Sequence, residues 1–166
     1  MERTSWRRLD EPEYSTIWDV VNDGFGFQPS TAPSMWPGFR EPPPFITFQF
    51  DYGFNDNDID EFYTLMNSHL IRASGKEEWL FALDWQHDCY AYSPEQLLKH
   101  GPSFPMYTGL FPDGDYAITL ASDARFGTLG HPWEQSICVF GEELVPLLVQ
   151  ERPRLLSSIL RQSSAL

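Results

Sequence analysis

The sequence predicts an α+β fold: an antiparallel β-sheet covered by helices, in a single domain. Three observations carry this expectation. Phe45 to Tyr52 alternates strictly, with Ile46, Phe48, Phe50 and Tyr52 on one side and Thr47, Gln49 and Asp51 on the other. Trp79 to Leu83 is apolar on both sides, as a central strand must be. Three strand-like runs, Tyr116–Ala121, Arg125–Gly130 and Ser136–Phe140, follow so closely that an antiparallel meander is the economical connection.

Taken in order, residues 1–10 are polar and predict a flexible N-terminus, leaving 11–166 as the domain. Glu11 to Asn22 carries Tyr14, Ile17, Trp18 and Val21 at helical spacing, and Asp23-Gly24 ends it. Phe25 to Pro44 holds Pro29, Pro33, Pro37 and the triplet Pro42-Pro43-Pro44, which forbids an interior helix or central strand. Its Phe25, Phe27, Trp36 and Phe39 predict a strap laid over the core. After the alternating strand, Asn55–Asp60 opens a second helix. Asp58 and Glu61 suggest its capping box, and Ile59, Phe62, Tyr63, Met66 and Leu70 form its apolar stripe. Gly75 stops it. Pro94–Lys99 predicts a short helix, and Pro112-Asp113-Gly114-Asp115 a turn in which Pro presets φ and Gly accepts a positive one. Glu143 to Arg161 predicts a closing helix, kinked or split by Pro153.

Composition narrows the function. With 11 Lys+Arg against 24 Asp+Glu, the chain has a net charge of −13 and lacks the cationic footprint that nucleic acids or anionic membranes require. No apolar run approaches the roughly 18–20 residues that span a bilayer, and the opening Met-Glu-Arg-Thr-Ser-Trp-Arg-Arg does not read as a secretory signal. A cytoplasmic location follows as the expectation. The acidity suits a basic protein partner or a cationic small molecule. Cys89 and Cys138 have no CxxC spacing and predict no disulfide framework.

Two polar clusters stand out. Around Trp85, the residues Asp84, Gln86, His87 and Asp88 end the central strand, where an imidazole between acids suits general acid–base work; a locally satisfied turn is the structural alternative. From Arg125 to Gln135, Arg125, His131, Trp133 and Glu134 crowd around Gly127 and Gly130; a β-bend locked by an Arg125–carboxylate pair is the alternative there. His131 and Glu134 share a ligand spacing only on a helix, and Pro132 opposes one, so no metal site is expected. Asp113 and Asp115 lack the further oxygens of a calcium loop and predict a turn. His69 and His100 read as packing or solvated residues. No phosphate-binding, dinucleotide, nucleophile-elbow or zinc-protease motif occurs, and no cofactor is expected.

Leu83-Asp84-Trp85-Gln86-His87, Pro112-Asp113-Gly114-Asp115-Tyr116, Phe126 to Glu134 and Cys138-Val139-Phe140-Gly141 together resemble domain-of-unknown-function family 2716, a group of small bacterial proteins. Phe25-Gly26-Phe27-Gln28-Pro29-Ser30 is similar to that family's first motif, so the resemblance runs from about Trp18 to Leu148. It implies a bacterial, cytoplasmic, single-domain protein and supplies no catalytic residues.

Two functions follow from the residues. One is a small acidic binding protein, immunity-like, that neutralises or accompanies a basic partner, with Trp36, Trp85 and Trp133 as anchors and Gln86 and Asp88 beside them. The other is a cofactor-independent tailoring enzyme with an aromatic-lined pocket, in which His87 and His131 exchange protons while Arg125 and Glu134 orient the substrate.

Overall fold

A computed structural model describes residues 5–51, 53–100 and 109–164. Among these described residues eight strands form one antiparallel sheet, alongside four α-helices, an α+β arrangement. The strands are β1 (Trp6–Arg8), β2 (Phe45–Gln49), β3 (Leu80–Asp84), β4 (Tyr90–Tyr92), β5 (Ala117–Ala121), β6 (Gly127–His131), β7 (Ser136–Phe140) and β8 (Ser158–Gln162). Across the sheet they lie in the order β1-β4-β3-β5-β6-β7-β2-β8. The expected meander is present as β5-β6-β7, with Thr119 opposite Thr128 and Thr128 opposite Val139.

Period-two alternation divides the apolar residues of the central strands between two clusters. Leu80 and Ala82 of β3, Ile137 and Val139 of β7, and Ile46 and Phe48 of β2 join one cluster. Leu83 of β3, Ile118 and Leu120 of β5, Leu129 of β6, and Cys138 and Phe140 of β7 join the other. The helices α1 (Glu11–Asp19) and α2 (Asp56–Ala73) contribute to different clusters. Phe62, Tyr63, Met66, Leu70 and Ala73 of α2 join the first, where both Phe62 and Phe50 pack on Phe111. Ile17 and Trp18 of α1 join the second, together with Val21, Phe25 and Phe27. Two short helices complete the set, α3 (Pro94–His100) and α4 (Val145–Gln150).

Four expectations are corrected. Residues 6–8 are not frayed: β1 pairs with β4, Leu9 and Ser5 are buried, and Arg7 is held by Glu13 through two 2.6 Å hydrogen bonds. The capping box of α2 lies three residues earlier than expected. Asn55 accepts the Asp58 N–H and Asp58 accepts the Asn55 N–H, so Asp58 is the reciprocal partner and not the cap. Tyr90–Tyr92 is a strand that the sequence reading did not isolate. The closing helix is only α4, with Pro146 in its first turn. Beyond Pro153 a short 3-10 turn, Arg154–Leu156, leads into β8, which pairs with β2. An open edge on β2 offers the last segment a ladder of backbone hydrogen bonds that a Pro-broken helix cannot match. Of the alternating strand, Tyr52 lies outside the described residues, and the ladder ends at Gln49.

Candidate functional site

Antiparallel register brings the first polar cluster and the His131–Glu134 part of the second to one end of the sheet. Asp84 at the end of β3 is opposite Ala117, Ala117 is opposite Gly130, and His131 at the end of β6 is opposite Ser136. The loop from Asp84 to Asp88 and the turn before β5 are therefore neighbours, joined by the Trp85 N–H donating to the Tyr116 carbonyl at 3.2 Å.

The first loop turns back on itself: the His87 N–H donates to the Asp84 carbonyl, and Gln86 takes a left-handed φ of 65°. This swings the His87 ring between two carboxylates. Its Nδ1 lies 3.2 Å from Asp84 Oδ1 and 3.4 Å from Asp115 Oδ2, while 59% of the side chain remains exposed. The charge of Asp84, its hydrogen bond and the more distant Asp115 raise the His87 pKa. Burial raises that of Asp84, against the pull of His87. Asp88 is occupied by Arg8 at 2.6 Å. An open groove of about 630 Å³ runs past His87, lined also by Gln86, Glu11 and Tyr14. Cys89 borders it, but its thiol is buried and its pKa is raised by that burial, so no thiolate is ready there.

Asp84, His87 and Asp115 each offer one donor atom, all within 4.8 Å of one another; among the described residues this is the one such triple. It is the donor set that could hold a cation. Sequence spacing directs attention to His131/Glu134 and to Asp113/Asp115, whereas the triple crosses two loops.

His131 has a different setting. It is fully buried. Its Nδ1 accepts the Glu134 N–H at 3.0 Å, so the neutral ring carries its proton on Nε2, facing the Tyr116 hydroxyl at 3.4 Å. Burial lowers its pKa to about 4. The strap closes over it: Trp36 meets the ring edge-on at 5.3 Å and donates its indole N–H to the Ser30 carbonyl, while the Ser30 N–H donates to Tyr116. With one nitrogen accepting and the other donating inside the protein, this imidazole braces the aromatic cluster and has no lone pair facing solvent.

Glu134 accepts from Ser136 Oγ at 2.6 Å and from both terminal nitrogens of Arg161 at 2.7 and 3.1 Å. Burial opposes its ionisation, but Arg161 and Ser136 outweigh it and hold the carboxyl below the usual range. Arg161 also donates to Glu41 at 2.6 Å, and Glu41 in turn accepts the Thr47 hydroxyl, which ties β8 to β2. Arg125 is not part of this end. It precedes β6, at the opposite end of that strand from His131. There it forms a two-pronged pair with Glu78 at 2.7 Å, a contact with Asp123 at 3.0 Å and a cation–π contact with Phe126. The structure thus separates Arg125 from the histidines it was grouped with and gives it the locked bend.

The tryptophans do converge. Trp85 and Trp133 both meet the Tyr116 ring edge-on, at 5.8 and 5.5 Å, and Trp36 reaches the same cluster through His131. Trp133 remains 39% exposed. Sequence reasoning missed Tyr116 as the hub, although its position directly after the Asp-Gly-Asp turn marks it. It also missed Arg161 and Glu41, which no local pattern connects.

No helix among the described residues is long and apolar enough to cross a membrane. No solved structure matches the chain. A relative from Bacillus subtilis (strain 168), the uncharacterized protein YxiI, is 30% identical over 157 residues, covering 90% of this chain and 95% of its own. The family model described as a protein of unknown function (DUF2716) matches residues 8–145, a span that holds both polar loops, the strap and every strand from β2 to β7; by that match the chain belongs to the DUF2716 family.

Proposed function

We propose that this chain is a cytoplasmic, single-domain binding protein that neutralises or accompanies a basic protein partner, in the manner of an immunity protein. One observation carries the reading. Three tryptophans gather around Tyr116 and His131 at the sheet end that also presents Asp84 and Asp115. Aromatic anchors ringed by charge are the usual makings of an interface hot spot, and a net charge of −13 steers a cationic surface towards it. The apolar clusters to which α1 and α2 contribute support one domain with helices over its sheet.

A second reading rests on the His87–Asp84 contact beside an open groove, which suits a cofactor-independent enzyme with His87 as general base. A paired growth and binding assay separates the two. The product of each gene adjacent to this chain's own is expressed alone and together with it. Relief of growth inhibition, with a one-to-one complex that Trp133→Ala weakens, supports the binding reading. Turnover of a small molecule that His87→Ala abolishes, with no complex formed, overturns it.

A further inference from the structure

We propose that β8 is the seam of a homodimer, in which the open edge of one copy pairs antiparallel with the same strand of a second copy. The inference is independent of the binding reading above.

The two edges of the sheet are built differently. β1 spans three residues, two of them Arg7 and Arg8, and its shortness and charge make it a poor template for another strand. β8 is five residues long, pairs with β2 on one side and, among the described residues, has no strand on the other. Ile159 and Leu160, in its middle, are 49% and 40% exposed. A bulge adds to this. Ile159 is opposite Phe48 and Arg161 is opposite Thr47, so Leu160 has no counterpart on β2. An apolar strand with a bare row of backbone N–H and C=O groups gains hydrogen bonds and buries side chains when a further strand is added.

Charge selects a second copy as that strand. All 24 acids lie in residues 1–151, whereas 152–166 hold Arg152, Arg154 and Arg161 and no acid. Arg154 is paired with Asp58 and Glu61, and Arg161 with Glu41 and Glu134. This edge is therefore where two strongly acidic copies approach with the least repulsion.

Its two ends also complement each other. At the N-terminal end the exposed Arg152 donates to the Ser157 carbonyl at 3.4 Å and lies over the Phe48 ring. At the C-terminal end an open groove of about 670 Å³ is lined by Pro44, Val145, Pro146 and Ser163, with Glu142 as the one charged group among its described lining residues. Among the described residues neither Arg152 nor Glu142 has an ion-pair partner. Phe48 and Val145 belong to the same apolar cluster, so both ends present their charge on one face of the sheet. A two-fold axis perpendicular to the sheet keeps that face and sets the start of one β8 against the end of the other. Ser157 then lies beside Ser163 of the second copy, and Arg152 reaches the groove that holds Glu142. The contact forms twice, once at each end of the seam.

The test is sedimentation equilibrium of the full chain, with hydrogen exchange at the β8 amides. The native chain is expected to dimerise with a Kd of about 1–100 μM, as a short seam allows. Its β8 amides gain protection as the concentration rises. Leu160→Lys places a charge on the exposed edge, abolishes the dimer and leaves the melting point of the dilute chain unchanged. Arg152→Glu and Glu142→Arg each weaken the dimer about tenfold, because each acts at both ends of the seam, and the two together restore it to within about threefold of native. Should Leu160→Lys fail to fold, the charge exchange carries the test alone. A native chain that stays monomeric up to about 500 μM overturns the inference. So does a dimer that Leu160→Lys leaves intact, or one in which the losses from the two charge reversals add. None of these measurements involves the basic partner, so the binding reading stands or falls by its own assays.

Discussion

The imidazole of His131 accepts a backbone N–H at one nitrogen and meets the Tyr116 hydroxyl with the other, sealed under Trp36 with its pKa pushed down by burial to about 4. An unfolded chain protonates the same ring near pH 6.5. Between those values the unfolded state binds more protons than the folded one. The contribution of His131 is therefore complete above about pH 6.5 and declines as the pH falls towards 4, by about 3 kcal/mol at the lower limit. Urea unfolding at pH 7 and pH 4.5 should show the loss in the native chain and a smaller one in His131→Asn, whose shorter carboxamide can still accept the Glu134 N–H but cannot take the proton. The His87 pKa is displaced the other way, because the charge of Asp84 favours its protonated form; the two histidines at one sheet end are shifted in opposite directions by charge and by burial.

At the scale of the element, β6 shows how tightly the meander is drawn. A Cβ on Gly127 would stand 2.2 Å from the Thr119 carbonyl oxygen, whereas one on Gly130 would meet its nearest atoms at 3.1 Å. Gly127→Ala is expected to cost about 3 kcal/mol by forcing β5 and β6 apart, and Gly130→Ala distinctly less; paired thermal melts check the order. The meander itself is legible in the sequence because its strands are consecutive and patterned. Strands β1, β4 and β8 are not. Trp6–Arg8 and Tyr90–Tyr92 are too short to show a period, and Ser158–Gln162 follows a leucine-rich run that reads as helix until the open edge of β2 is known. The same limit applies to the site. Both polar loops stand out by composition, yet Asp115 joins Asp84 and His87 only through the Asp84–Ala117 register, and Glu134 meets Arg161 only because β8 lies beyond β2.

Across the whole molecule, the charge of −13 and the tryptophan cluster affect different steps of association. Long-range attraction sets the rate of encounter and is screened by salt, while a buried ring sets the rate of escape. Raising sodium chloride from 0.05 to 0.5 M should slow association with a basic partner about tenfold or more. Trp133→Ala should leave that rate nearly unchanged and shorten the lifetime of the complex, at a cost of about 2 kcal/mol. Stopped-flow mixing measures both. The strand order also bears on how the protein is made. β2 lies between β7 and β8, strands that the ribosome delivers only after most of the chain has emerged, and β1 waits similarly for β4. A nascent chain up to α3 thus has β2 with both edges bare and nothing to zip against. Strands β1, β4 and β3 can pair as soon as β4 has emerged, but β2 waits for β7 and β8, so the sheet is completed late, through non-local pairings of the kind that fold slowly.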